Sequence, residues 1–303
     1  RLLYMKELYV KDMKAGTNAK VSLMIMKKLY RDNNNNTIAY AGDNTGDIKS
    51  TIPDKEDILK IGDVIIAEGV VGNIFDITSL EKIENFNMED YLSTVKRPID
   101  DIMKEIEDIS KEEFKSKEIL ALNDYFFRNE EFLEKFKKGI GGVSQHHNYR
   151  GGLAEHTLNV MYMAKSMAYR YDCRNKEIAI LGAKLHDIGK IYELFADGPF
   201  SYTLKGEMEG HIVIGVTMLM KAFDAQPELY SEDFKERMVG CIVQHHGKVE
   251  FGSPKQPNTE EAYIVHYADY IDASLNKISQ IKEGMTPCTW SGYERKIEGK
   301  LYF

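Results

Sequence analysis

Cysteine is scarce. Cys173, Cys241 and Cys288 are the three in 303 residues, and no two of them form a CxxC pair. That excludes a disulfide framework and disfavours a structural zinc site, and it fits a reducing, cytoplasmic setting. Each is expected to be a small buried hydrophobe. Long apolar runs are missing too. No stretch reaches the about 18 consecutive apolar residues of a membrane span, and no signal peptide is visible. The first methionine is Met5, so Arg1 to Tyr4 are expected to be a cloning remnant or part of a longer native leader. Positive charge is in deficit: 40 Lys+Arg against 48 Asp+Glu leave a net charge of −8. This argues against gripping nucleic acid by bulk electrostatics, although a local basic channel remains open.

What is present is an ordinary globular composition, 43% hydrophobic and 29% charged, in a chain long enough for two domains. Residues 18–84 read as β structure. "NAKVSLMIMKKLY" is strand-like, "NNNN" at 33–36 is an exposed hairpin tip, and Gly69 and Gly72 mark bulges or bends. Several short strands in so few residues predict a small closed barrel over residues 1–88. The period then turns helical, with Pro98 near the change. Residues 89–140 read as a charged helical connector packed with the next domain, and residues 141–303 as an all-α domain.

Histidine carries the chemistry. All eight histidines fall between His146 and His266. His156 lies near the start of a helix in "GGLAEHTLNVMYMAKSMAYRY". A helix capped by Asn175 carries His186 and Asp187 near its end. His211 opens a third helix, His245 and His246 end a fourth before Gly247, and a fifth holds His266, Asp269 and Asp272. Five helices each bringing polar groups out of an apolar background are expected to converge on a metal centre.

The assignment follows from the donors. A carboxylate can bridge two cations, and Asp187 takes that role. One cation takes His156, His186 and Asp269; the second takes His211 with one or both of His245 and His246. Imidazole and carboxylate donors suit Mn, Fe, Co, Ni or Zn. Lys190, one turn beyond His186, is expected at the cavity rim, placed to neutralise an anion. His146 and His147, in the glycine-rich loop, contact substrate, act as a general acid or have a simple loop role. His266 and Asp272 are read as groups orienting the ligands. Gly151 and Gly152 would let backbone approach substrate.

"GGLAEHT", "LHDIGK", "GHIVIG", "QHHGK" and "HYADYIDA" together resemble the HD-domain metallophosphohydrolase pattern over about residues 146–280. "AGDNTGDIKSTI" resembles the strand–turn–strand signature of an OB-fold barrel. The combination, an N-terminal small β-barrel (OB-fold) followed by an all-α HD domain, is similar to the YhaM family of 3′→5′ exoribonucleases, with "HHNYRGGLAEHT" close to that family's segment. The resemblance implies an enzyme dependent on two divalent cations, commonly manganese, that hydrolyses single-stranded RNA and sometimes DNA. A metal-activated water would be the nucleophile, with Asp187 and Lys190 as catalytic residues and Lys190, His147, Arg150, Gly151 and Gly152 near the substrate.

Two features depart from that pattern. Arg150 stands where an aliphatic residue is expected. Residues 1–95 carry 12 Lys+Arg against 15 Asp+Glu, so the barrel is acidic. Lys20, Lys27, Lys28, Arg31, Tyr30 and Tyr40 form a modest binding platform or are ordinary surface and core residues. The rival readings are an HD phosphohydrolase acting on nucleotides or cyclic dinucleotides, and a non-catalytic nucleic-acid-binding protein with a vestigial metal site. The sequence leaves room for a homo-oligomer.

Overall fold

The computed structural model describes residues 3–144, 147–295 and 297–303. It divides into two compact units: residues 1–94 with 196–200, and residues 95–195 with 201–303.

The first unit is a closed OB-like barrel of β1 (Asn18–Arg31), β2 (Thr37–Asp43), β3 (Gly46–Ile52), β4 (Val64–Val71) and β5 (Phe75–Ile83), in the order β1-β2-β3-β5-β4. β1 is long enough to pair with both β2 and β4, and register shifts between Ile25 and Lys27 and between Lys28 and Tyr30 coil it around the barrel. The interior is filled by Val21, Leu23, Ile25, Ile52, Ile65, Phe75 and their neighbours. Asn33–Asn35 lie exposed at the β1–β2 turn, and the β4–β5 register shifts at Gly69 as the glycine suggested. The unit runs past residue 88, because Tyr91 and Leu92 are buried with Met24 and Val64 and the Tyr91 hydroxyl donates to Ser22 Oγ at 2.8 Å.

The second unit is helical. α1 (Ile99–Glu113), α2 (Lys117–Phe127) and α3 (Glu130–Lys138) share one hydrophobic core with α4 (Gly152–Arg170) and α5 (Lys176–Leu185). α6 (Lys190–Glu193) leads through a two-stranded ribbon, β6 (Leu194–Phe195) and β7 (Ser201–Tyr202), into α7 (Leu204–Ala225), then α8 (Glu232–Gln244) and α9 (Glu260–Glu283).

Local chemistry explains several boundaries. Asn175 stands before α5, but its side chain makes no capping hydrogen bond. That helix stops at Leu185, so His186 and Asp187 lie in the turn that follows rather than inside it. The turn is tight: a Cβ on Gly189 would sit 2.0 Å from His211 O. α7 is broken at Gly210, at φ 72 and ψ 156, so His211 begins a new helical run. Of the cysteines, Cys173 and Cys241 are buried, but Cys288 is exposed, against expectation. No described helix is long and apolar enough to cross a membrane.

Candidate metal centre

Asp187 is buried, and its two carboxylate oxygens face different partners. Oδ2 lies 3.4 Å from both His156 Nε2 and His186 Nε2. Around the same point, His156 Nε2 is 3.1 Å from His186 Nε2 and 3.1 Å from Asp269 Oδ1, which is 3.9 Å from His186 Nε2. Oδ1 faces the other way, 3.5 Å from His211 Nε2 and 3.6 Å from His245 Nε2. His211, His245 and His246 bring donor atoms within 4.8 Å of one another.

These separations are those of donors sharing a cation. Two ligands about 2.1 Å from an ion stand about 3.0 Å apart at a right angle and about 3.4 Å apart at the tetrahedral angle.

The imidazoles are all turned the same way. His186 Nδ1 donates to Ala183 O at 2.7 Å, His245 Nδ1 to Ile242 O at 2.7 Å and His246 Nδ1 to Phe251 O at 3.0 Å. His156 Nδ1 lies 2.6 Å from Asp272 Oδ2, and His211 Nδ1 lies 3.2 Å from Glu193 Oε1. Every acceptor is an oxygen without a proton, so each Nδ1 carries the hydrogen. Each ring is thereby oriented with Nε2 towards the cavity.

Lone pairs and carboxylate oxygens crowded this closely repel unless positive charge lies among them. Four buried side-chain polar atoms among the described residues have no hydrogen-bond partner, and three of them are Asp187 Oδ1, His211 Nε2 and His245 Nε2. Such atoms are costly to bury without a partner. The donor set therefore fits divalent cations.

The electrostatics agree. Burial opposes ionisation of Asp187, but Lys190 and His186 outweigh it and hold the carboxyl well below its usual range. Burial likewise opposes charge on Asp269, which the His156 hydrogen bond and the nearby imidazoles keep ionised. Burial lowers His245 well below the ordinary imidazole value, helped by His246 and His186, so its ring is neutral at pH 7. Burial and then His211 lower His246 as well. At His156 burial is outweighed by Asp187, Asp269 and Asp272, which raise it well above 6.5. The pocket around Asp187 Oδ2 thus attracts positive charge.

Other expected residues sit elsewhere. Lys190 is buried rather than at a rim: Nζ is 2.7 Å from Asp187 Oδ2 and donates to Gly141 O at 2.8 Å. His147 is fully buried behind His156, with Nε2 2.6 Å from Asp272 Oδ2 and Nδ1 3.0 Å from both Tyr149 OH and Glu155 Oε2. It belongs to a hydrogen-bonded network that fixes Asp272, which also accepts from Asn159 Nδ2 at 2.8 Å. Gly151 and Gly152 approach their own chain closely. A Cβ at Gly151, which has φ +80, would lie 2.6 Å from Val95 Cγ1, and one at Gly152 would lie 2.2 Å from His147 O. Arg150 is half-buried, and its carbonyl accepts from Val95 N at 2.8 Å. His266 Nδ1 donates to His245 O at 2.8 Å, steadying the backbone of that residue. His146 lies outside the described residues.

Sequence reasoning missed Glu193, Ala183 and Ile242. Glu193 carried a readable signal, since a carboxylate beside a histidine-rich site is a common partner for Nδ1; the two carbonyls carried none.

On the barrel, Tyr30 and Tyr40 are exposed, and Lys49 Nζ lies 5.9 Å from the centre of the Tyr30 ring. Lys20 pairs with Glu68 at 2.6 Å, and Lys28 and Arg31 both reach Asp57. Those three cations are partly neutralised, whereas Lys27 is exposed on β1 beside Tyr40.

The family model described as "HD domain" matches residues 153–274. The 3′-5′ exoribonuclease YhaM of Bacillus subtilis (strain 168) is 31% identical over 230 residues, covering 75% of this chain and 71% of that protein. The protein of the same name from Bacillus licheniformis is 30% identical over 276 residues, covering 86% and 85%. That from Geobacillus sp. (strain WCH70) is 28% identical over 273 residues, covering 86% and 83%.

Proposed function

The chain belongs to the YhaM family of 3′–5′ exoribonucleases, and from that membership we propose that it shortens single-stranded RNA from the 3′ end by hydrolysis at the Asp187 centre. It is a hydrolase that depends on divalent metal. In this reading His156, His186, Asp187 and Asp269 hold one cation, and Asp187, His211, His245 and His246 hold the other. Manganese is the ion we favour, on the resemblance to the family; the mixed nitrogen and oxygen donors without thiolate suit Mn, Fe, Co, Ni or Zn. A cytoplasmic setting belongs to the same reading, on the scarcity of cysteine.

One observation carries the proposal. Asp187 offers Oδ2 to one imidazole pair and Oδ1 to another, and Nδ1 of every ring in the set is anchored to an oxygen. Divalent cations bound by these residues would supply Lewis acidity to a phosphodiester and would lower the pKa of water from about 15.7 towards about 7.

The chain's own residues do the rest. Lys190 keeps Asp187 ionised and ties it to the Gly141 carbonyl, fixing the direction of the two oxygens. Asp272 and Glu193 hold the rings of His156 and His211 in register. On the barrel, Tyr30 and Tyr40 offer ring faces on which unpaired bases stack, and Lys49 and Lys27 offer charge to the phosphates.

The test is a degradation assay with 5′-labelled RNA and DNA oligomers, each free or blocked at the 3′ end, with Mn²⁺ or with chelator. Metal-dependent ladders from RNA with a free 3′ end are expected. Hydrolysis of nucleotides or cyclic dinucleotides in the same panel, with RNA left intact, would contradict the proposal.

A further inference from the structure

The five imidazoles are not anchored alike. Around Asp187 Oδ2, His186 leans on Ala183 O, three residues back in its own segment, whereas His156 leans on Asp272 from α9. Around Oδ1, His245 leans on Ile242 O, again three residues back, and His246 on Phe251 O, five residues on, whereas His211 leans on Glu193 from α6. Each donor set thus contains one imidazole fixed by a carboxylate from a different element, the others being fixed by local backbone.

We propose that Glu193 is the positioning residue of the second donor set, and that it sets the cation affinity of that set independently of the first. The inference rests on the two-cation reading above.

Glu193 holds His211 at two points with one oxygen. Oε1 accepts from the His211 backbone N–H at 3.0 Å and lies 3.2 Å from Nδ1 of the same residue. The double contact exists because α7 breaks at Gly210. The N–H of His211, the first residue of the new helical run, is met by a side chain from outside the helix.

Glu193 is itself fixed. Its carbonyl accepts from Thr203 N at 2.9 Å, and Gly206 packs so close that a Cβ there would lie 2.2 Å from that oxygen. It also stands six residues after Asp187, at the end of the turn and short helix that carry the bridging carboxylate. One short segment therefore delivers the shared ligand and orients an imidazole of the second set. The first set takes its carboxylate from elsewhere: Asp272 of α9 accepts from Asn159 Nδ2 and lies 2.6 Å from His147 Nε2. A change at Glu193 should accordingly be felt by one donor set alone.

The experiment is Mn²⁺ binding to the full chain, as stoichiometry after dialysis and as two dissociation constants by calorimetry, for the wild type, Glu193→Gln, Glu193→Ala and Asp272→Asn. Gln keeps the length and the acceptor oxygen but removes the charge, and circular dichroism checks that each variant is folded. Both Glu193 variants are expected to weaken one of the two affinities about 10- to 100-fold and leave the other unchanged, the usual effect of losing such a partner. Asp272→Asn is expected to weaken the other site, and the variant combining Asp272→Asn with Glu193→Gln to weaken both. Unchanged affinities in the Glu193 variants, or equal loss at both sites, overturn the inference. So does wild-type affinity in Glu193→Gln with loss only in Glu193→Ala, since the side chain would then merely cap α7. A wild-type chain that binds fewer than two ions overturns the two-cation reading itself, a result distinct from the others.

Discussion

Lys190 Nζ stands 2.7 Å from Asp187 Oδ2, on the oxygen that His156 and His186 also face. Without a cation, the ammonium is the principal neutraliser of a buried carboxylate. Removing one partner of a buried pair costs about 3–5 kcal/mol. Lys190→Ala is therefore expected to destabilise the metal-stripped protein by about 3 kcal/mol, and the Mn²⁺-loaded protein by less, because a cation then faces the same oxygen. Urea unfolding with and without Mn²⁺ measures both. Equal destabilisation in the two states would show that Lys190 acts elsewhere.

Asp187→Ala removes the group common to both donor sets. RNA hydrolysis is expected to fall by at least about 10³-fold, of the order seen when a principal charge-stabilising group is lost, and bound metal to drop well below the wild-type content. Circular dichroism should stay native. Wild-type metal content in this variant would rule out the bridging role.

Gly189→Ala probes the turn between the donor sets. The added Cβ would lie 2.0 Å from His211 O and 2.8 Å from Gly215 N, both backbone atoms that cannot rotate away. A cost of about 3 kcal/mol, or loss of folding, is expected, with weaker metal uptake where the chain still folds. A melting curve and a metal assay suffice.

Lys184 gives a pH signature remote from hydrolysis. It is buried, donates to Ser110 Oγ at 2.8 Å and Asn123 Oδ1 at 2.6 Å, and lies 3.7 Å from the centre of the Phe127 ring. Burial lowers its pKa from 10.5 to about 7. Between those values the unfolded chain binds the proton and the folded chain does not, so this group makes stability rise with pH through that window. Below pH 7 both states are protonated and the penalty for the buried charge is complete. From pH 7 to 9, wild type is expected to gain about 2 kcal/mol relative to Lys184→Met, near the limit of about 1.4 kcal/mol per unit. Urea midpoints at the two pH values test this, and parallel curves would refute it.

Tyr30→Ala and Tyr40→Ala test the barrel as an RNA-holding surface. Each lost stacking contact is worth about 1–3 kcal/mol, so the Kd for a long single-stranded RNA should rise about fivefold or more per tyrosine. Fluorescence anisotropy under chelator, without turnover, reads it directly. Unchanged binding would leave both tyrosines as ordinary surface residues.

Much of the candidate site was legible because its proposed ligands are polar residues, mostly histidines, in an apolar background. His156, His186, Asp187, His211, His245, His246 and Asp269 announce themselves by composition, and the structure brings these seven together. What could not be read is what holds them. The anchors at Ala183 and Ile242 are backbone carbonyls, which any residue type supplies. The glycines were legible only in part, for a related reason. Gly151 and Gly152 do mark close approach, but to Val95 and His147 of the same chain, and sequence carries no direction. Spacing of one turn beyond His186 puts Lys190 at a rim; its burial follows from pairing with an equally buried Asp187. The barrel was readable from its glycines and alternation, whereas its end at residue 94 depends on the tertiary burial of Tyr91 and Leu92.

The most direct measurement is anomalous diffraction from a crystal soaked in Mn²⁺. Two peaks roughly 3.5–4 Å apart are expected, one on each side of the Asp187 carboxylate, the first among His156, His186 and Asp269 and the second among His211, His245 and His246. A single peak, or peaks that do not touch Asp187, would contradict the two-cation centre.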